Sequence, residues 1–148
     1  MKMKLAIASD HAGFKMKQKL KKYLIEKGYE IKDFGTDTEE SIDYPEFGHS
    51  VAEAIEREKY DYGITICGSG NGINMTANKH QRIRSAICWN EKIAELARAH
   101  NNANICSLPG RFLSIEESIV IVETFLRTKF DGGRHERRIN KIPLKNFY

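Results

Sequence analysis

An α/β fold, with helices on both faces of a five-stranded parallel sheet, is what this sequence predicts. Three observations carry that expectation. Five short runs, apolar or alternating, read as strands, and segments of helical period lie between them. Those intervening segments have the length of crossover helices, about 10–15 residues, which builds βαβ units. Right-handed crossovers then put helices on both faces, a doubly wound, Rossmann-like, three-layer arrangement. The third observation is that the unusual polar residues follow strand ends, where ligands bind in open parallel sheets.

Taken in order, Lys4–Ala8 reads as a buried strand. Phe14 to Lys27 places Met16, Leu20, Tyr23 and Leu24 on one helical face, and Gly28 stops that helix. The lysines of Lys15–Lys27 are expected on its solvated outer face. Tyr29–Asp33 alternates as a second strand. After a loop from Gly35 to Pro45, Phe47, Val51, Ala54 and Ile55 recur at helical spacing. Tyr62–Cys67 is the third strand, Gly68–Gly72 a glycine loop, and Ile73–Asn78 a short helix. Ser85–Trp89 is the fourth strand. Asn90 can cap a helix that ends near His100, with Ile93, Ala94, Leu96 and Ala97 inward. Asn104–Leu108 is the fifth strand. Ser114 and Glu117 form a capping box for a helix running to about Thr128, before a basic tail, Gly132–Lys145.

Composition excludes several classes. The chain has 148 residues, 41% hydrophobic and 30% charged, with 3 prolines and 11 glycines. That suits one domain, residues 1–148, and neither disorder nor a collagen-like repeat. The longest apolar stretches, Leu5–Ala8 and Ile119–Val122, fall far short of the about 20 residues that span a bilayer, and none is long enough for a signal peptide. Cys67, Cys88 and Cys106 form no CxxC pair and no zinc pattern, which predicts reduced thiols in a cytoplasm. The net charge of +4 is modest and interspersed. It favours anionic partners weakly, and no aromatic residues interleave the lysine run to suggest nucleic acid.

The most informative stretch is Cys67-Gly-Ser-Gly-Asn-Gly72. Alternate glycines let a backbone approach an anion, and the helix that follows aims N–H groups at it. The pattern is neither a dinucleotide fingerprint nor a Walker loop. A plain tight turn is the bland alternative. Cys67 stands at the strand end, where a helix N-terminus favours the thiolate, whereas Cys88 and Cys106 sit amid apolar runs and read as core thiols. In Gly132-Gly-Arg-His-Glu-Arg-Arg138, helical spacing would put Arg134 and Arg138 on one face, suited to a phosphate or simply to solvent. Asp10 and His11 follow the first strand, and Arg111 the fifth. His49 and His80 read as surface residues. His100 and Asn101 precede the fifth strand, which puts them at the opposite edge of the same chain.

Six motifs occur together: Ser9-Asp-His-Ala-Gly13, Asp43-Tyr-Pro45, Cys67–Gly72, Ala77-Asn-Lys79, His100-Asn101 and Gly132-Gly-Arg-His135. In this order they resemble the RpiB/LacAB family of sugar-phosphate isomerases, that of ribose-5-phosphate isomerase B, along essentially the whole chain. The resemblance implies interconversion of ribose 5-phosphate and ribulose 5-phosphate in the non-oxidative branch of the pentose phosphate pathway. It implies no metal and no organic cofactor. It also implies a homodimer, or a tetramer, whose active sites lie between subunits, so that His100 and Asn101 of one copy complete the site on the strand ends of another. Neither nucleic acid nor membrane is an expected partner.

By the same resemblance His100 is the ring-opening acid/base and Cys67 the proton-shuttling base. Ser69 and the backbone of Gly68, Gly70, Asn71 and Gly72 assist at the developing oxyanion. Asp10, His11, Asn101 and Arg111 hold the substrate, Arg134 and Arg138 bind its phosphate, and Tyr44 packs beside the site. Arg111, Arg134 and Arg138 are expected to gather around that one phosphate. One branch of the family lacks this cysteine and carries a Glu just after the glycine loop. Ile73 stands there in this chain, which matches the cysteine type. Ser69 occupies a position that is Thr in many members, and the hydroxyl is kept. The alternatives are a six-carbon substrate, allose 6-phosphate or galactose 6-phosphate, and a non-catalytic phosphate- or nucleotide-binding module.

Overall fold

The computed structural model describes residues 2–144. Met1 and Lys145, the end of the basic tail, lie outside them. The elements are β1 (Lys4–Ser9), α1 (Phe14–Glu26), β2 (Glu30–Asp33), α2 (Tyr44–Glu56), β3 (Tyr62–Cys67), α3 (Asn71–Ala77), β4 (Ser85–Ile87), α4 (Glu91–Ala99), β5 (Ile105–Pro109), α5 (Ile115–Arg127) and α6 (Arg134–Ile139). The strands form one sheet in the order β2-β1-β3-β5-β4, and every neighbouring pair is parallel.

The topology makes the crevice. From β1 the chain steps outward through α1 to β2, then returns through α2 to β3, on the other side of β1. That reversal parts the loops at the carboxyl ends of β1 and β3, the place where open α/β sheets bind ligands. α1, α4 and α5 cover one face through Leu20, Ala94, Ile121 and Phe125, which pack on Leu5, Ile7, Ile64 and Ile66. α2 and α3 cover the other, where Val51, Ile55 and Ala77 meet Ala6, Ala8 and Ile105. α2 lies close because Gly63 has no side chain: a Cβ there would sit 2.6 Å from Val51. A polar stripe crosses that second layer. Thr65 and Ser107 hydroxyls lie 2.6 Å apart, Ser107 is 3.1 Å from Ser85, and Ser85 donates to Asn74 at 2.6 Å.

Local signals explain most boundaries. The Asn90 side chain accepts from the Ile93 N–H at 2.8 Å and opens α4. Ser114 and Glu117 form the reciprocal capping box of α5. Three expectations need correction. β4 ends at Ile87: the Cys88 N–H still reaches the Ser107 carbonyl at 2.9 Å, but Trp89 then turns out to 56% exposure so that Asn90 can cap. The lysines of α1 are not uniformly solvated, because Lys17 is fully buried. It shares the inward face with Leu20 and Leu24, and its stem is long enough to reach polar groups beyond β2. His80 is half-buried: its Nδ1 lies 2.9 Å from Glu56 Oε2 and its Nε2 2.8 Å from His49 Nδ1, which ties α2 to the turn after α3.

Candidate active site

Three strand ends meet at the carboxyl edge. The Asp10 N–H donates to the Ile66 carbonyl at 3.1 Å, Gly110 N–H to Cys67 at 2.8 Å, and Arg111 N–H to Gly68 at 3.0 Å. Asp10, 6% exposed, accepts from the Gly13 N–H at 3.1 Å. Gly13 is required here: a Cβ would stand 2.7 Å from Ile66. His11 Nδ1 lies 3.2 Å from the Ile42 N–H and 3.3 Å from the Ile42 carbonyl, which anchors the ring to that residue's backbone.

Cys67 ends β3 with 4% exposure, and the chain turns at once into the glycine loop. Gly70 has φ +77°, with Pro109 N only 3.1 Å from where a Cβ would stand. Ser69 Oγ accepts from the Asn71 N–H at 3.2 Å. Among the described residues, the backbone N–H groups of Gly68, Ser69 and Gly70 donate to no protein acceptor. They form a run of free donors directly after Cys67 in the chain. The Arg111 side chain lies over Gly68, and the Tyr44 ring over Gly72, where any Cβ would collide with it. Ile73 points into the core at 0% exposure. Cys88 and Cys106 differ from Cys67 as expected: both are fully enclosed, and the Cys88 thiol, followed by burial, pushes the Cys106 thiol up.

A second cluster occupies the amino edge. His100, at the end of α4, stacks on His135 of α6 with ring centroids 4.2 Å apart and planes 9° from parallel. Its Nε2 lies 4.0 Å from Asp131, whose N–H holds the Ala99 carbonyl at 2.9 Å. Asn101 is beside it, its carbonyl receiving Arg84 Nε at 2.9 Å. Arg134 and Arg138 are exposed on α6, four residues apart, and enter no ion pair among the described residues. Burial, then the neighbouring His100 ring and the guanidiniums of Arg134 and Arg138, hold the His135 imidazole below the ordinary histidine range, with Asp131 opposing.

Ligand atoms of His100, Asp131 and His135 all fall within 4.8 Å of one another. Near-parallel stacking, however, sends the two imidazole lone pairs side by side rather than to one point. As arranged, the trio is poorly set to cage a metal.

The expected residues therefore fall into two groups. Asp10, His11, Cys67, Gly68, Ser69, Gly70, Asn71, Gly72 and Arg111, with Tyr44, lie at the carboxyl edge. His100, Asn101, Arg134 and Arg138 lie at the amino edge. One chain does not gather Arg111 with Arg134 and Arg138, because strands and crossover helices hold the two edges apart. Sequence reasoning gave no role to Asp131 or His135. The signal for both was the Asp131-Gly-Gly-Arg-His135 turn, whose glycines at φ +67° and +57° fold α6 back onto the end of α4.

Residues 5–142 match the family model described as Ribose/Galactose Isomerase. The probable ribose-5-phosphate isomerase B of Mycoplasma genitalium is 42% identical over 96% of this chain and 95% of its own. The ribose-5-phosphate isomerase B of Escherichia coli is 38% identical over 94% and 93%. A crystal structure of ribose 5-phosphate isomerase from Thermotoga maritima superposes with a TM-score of 0.94 at 52% identity, covering 95% of this chain and 97% of that one. The M. genitalium enzyme with bound ribulose-5-phosphate superposes with a TM-score of 0.90 over 96% and 95%. The chain belongs to the ribose/galactose isomerase family.

Proposed function

We propose that this protein is an aldose–ketose isomerase that interconverts ribose 5-phosphate and ribulose 5-phosphate, at a site shared between two copies of the chain. The observation that carries the reading is Cys67 at the end of β3, directly before the glycine loop in which the N–H groups of Gly68, Ser69 and Gly70 have no acceptor among the described residues. Isomerisation needs a base beside an anion cradle, and the carboxyl edge supplies both. The bound ribulose-5-phosphate of the M. genitalium relative supports the five-carbon substrate.

The steps divide between the edges. His100 of one copy protonates the ring oxygen and takes back, through water, the proton that the C1 hydroxyl loses, which opens the furanose with no net change in protons. Deprotonated Cys67 of the other copy removes the C2 proton to give an enediolate and returns a proton to C1, as the hydroxyl proton passes from O2 to O1. Ser69 and the loop amides hold the oxyanion; one such donor is worth about 2.7–4 kcal/mol in other enzymes. Asp10, His11, Asn101 and Arg111 orient the sugar. Arg134 and Arg138, one helical turn apart and in no ion pair among the described residues, receive the phosphate. Nothing in these steps calls for a metal or an organic cofactor. The three free thiols fit a cytoplasmic enzyme.

The test is direct. Purified protein without added metal should interconvert the two pentose phosphates, and Cys67→Ala should abolish turnover with the far-ultraviolet spectrum unchanged. Allose 6-phosphate and galactose 6-phosphate assayed alongside should turn over more slowly. Full activity in Cys67→Ala would remove the base assignment. Failure of the wild type on every sugar phosphate would point to a binding module instead.

A further inference from the structure

Lys17 is wholly buried, yet it is the first charged residue of the inward face of α1. An ammonium out of water must be paired and hydrogen-bonded. Its Nζ donates to Asp33 Oδ1 at 2.7 Å and to the Thr36 carbonyl at 2.5 Å. Neutralising Asp33 does not require it, because Lys21 reaches Asp33 Oδ2 from the solvent side at 2.8 Å. Filling space does not require it either, since an apolar stem of equal length would do so. What Lys17 alone does is grip Thr36.

One chain of hydrogen bonds leads from that grip to the residue before Asp10, and a second, through the backbone of Lys17, leads to the Asp10 carboxylate. The Thr36 N–H donates to Ser9 at 2.8 Å, and the Ser9 N–H to Gly35 at 2.8 Å, so the segment after β2 is zipped to the residue before Asp10. From its own backbone, the Lys17 N–H donates to Gly13 at 2.9 Å, and Gly13 in turn donates to the Asp10 carboxylate at 3.1 Å. The first route, the one that depends on the ammonium, ends at Ser9 next to Asp10; the second ends on Asp10 itself and is kept by any side chain at position 17. The adjoining His11 is fixed by Ile42, in the loop that continues from Thr36. We propose that Lys17 is a positioning residue for the isomerase reaction, its ammonium fixing through the Thr36 carbonyl the Ser9–Gly13 backbone that carries Asp10 and His11. The proposal rests on the isomerase reading and adds to it a residue that touches no substrate.

A double-mutant cycle tests it. kcat and KM for ribose 5-phosphate are measured for wild type, Lys17→Met, Asp10→Asn and the double variant, at a temperature where circular dichroism shows each folded. Lys17→Met should lower kcat/KM by about tenfold or more, the scale of a small misplacement at a site. On top of Asp10→Asn it should cost less than about twofold, because the two act through one geometry. Lys21→Met, which leaves Thr36 held, should stay within about twofold of wild type. Lys17→Gln, which keeps a donor for Thr36, should recover part of the loss and carries the same cycle if the Met variant does not fold. The proposal is overturned if folded Lys17→Met keeps wild-type kinetics, if its penalty multiplies in full with that of Asp10→Asn, or if neither Lys17 variant folds. Wild-type inactivity on every sugar phosphate overturns the isomerase reading, and this proposal with it.

Discussion

At the scale of single residues, charge placement decides most. Burial pushes the Asp33 carboxyl up, but hydrogen bonds from Lys17, Lys21 and the Gly35 N–H outweigh it and hold the group below the usual carboxylate range. Glu56 behaves alike: burial raises it, and His80 and the Arg82 N–H lower it further than that. A carboxylate lowered by folding contributes stability above its ordinary value and loses it as pH falls through the lower folded one. Melting temperature should therefore fall steeply below about pH 4. In Asp33→Asn, differential scanning calorimetry should show a flatter acid limb and a lower melting temperature at pH 7; an unchanged limb would contradict the assignment. Gly70 offers a second prediction. At φ +77° any side chain adds about 1–2 kcal/mol of strain, and the Cβ would press on Pro109. Gly70→Ala should lower both stability and kcat, whereas Gly28→Ala, with nothing near its Cβ, should affect stability alone.

At the scale of elements, caps and period were legible, and long-range polar pairing was not. The Ser114–Glu117 spacing placed the start of α5, and Asn90 placed that of α4, because a cap is a contact between near neighbours. Ser114→Ala should cost about 1 kcal/mol, read as a melting temperature about 2–4 °C lower with KM unmoved. A change in KM would mean that α5 reaches the site. Lys17 was misread because helical period cannot distinguish a lysine that ends in water from one that ends on Thr36, nineteen residues away. The Thr65–Ser107–Ser85–Asn74 stripe escaped for the same reason: its partners come from three strands and a helix. The strand order escaped too, since β5 inserts between β3 and β4 and no local signal records that choice.

At the scale of the whole molecule, the sheet separates Cys67 and its glycine loop, the proposed base and anion cradle, from His100 and the exposed Arg134 and Arg138, the proposed acid and phosphate site. The sequence already placed His100 and Cys67 at opposite edges, through strand direction alone. It did not reveal that His100 would come stacked on His135 beside Asp131, because only the folding back of α6 brings them together. Under the proposed mechanism both edges act on one sugar, which calls for two chains facing each other in an isologous pair. Subunit complementation tests this most directly. Cys67→Ala and His100→Ala proteins, each inactive alone, are unfolded, mixed in equal amounts and refolded together. Random pairing makes half the dimers mixed, each with one intact site of two, so the account predicts recovery of about a quarter of wild-type activity. Recovery of nothing, from a mixture shown to contain mixed dimers, would contradict a site shared between chains.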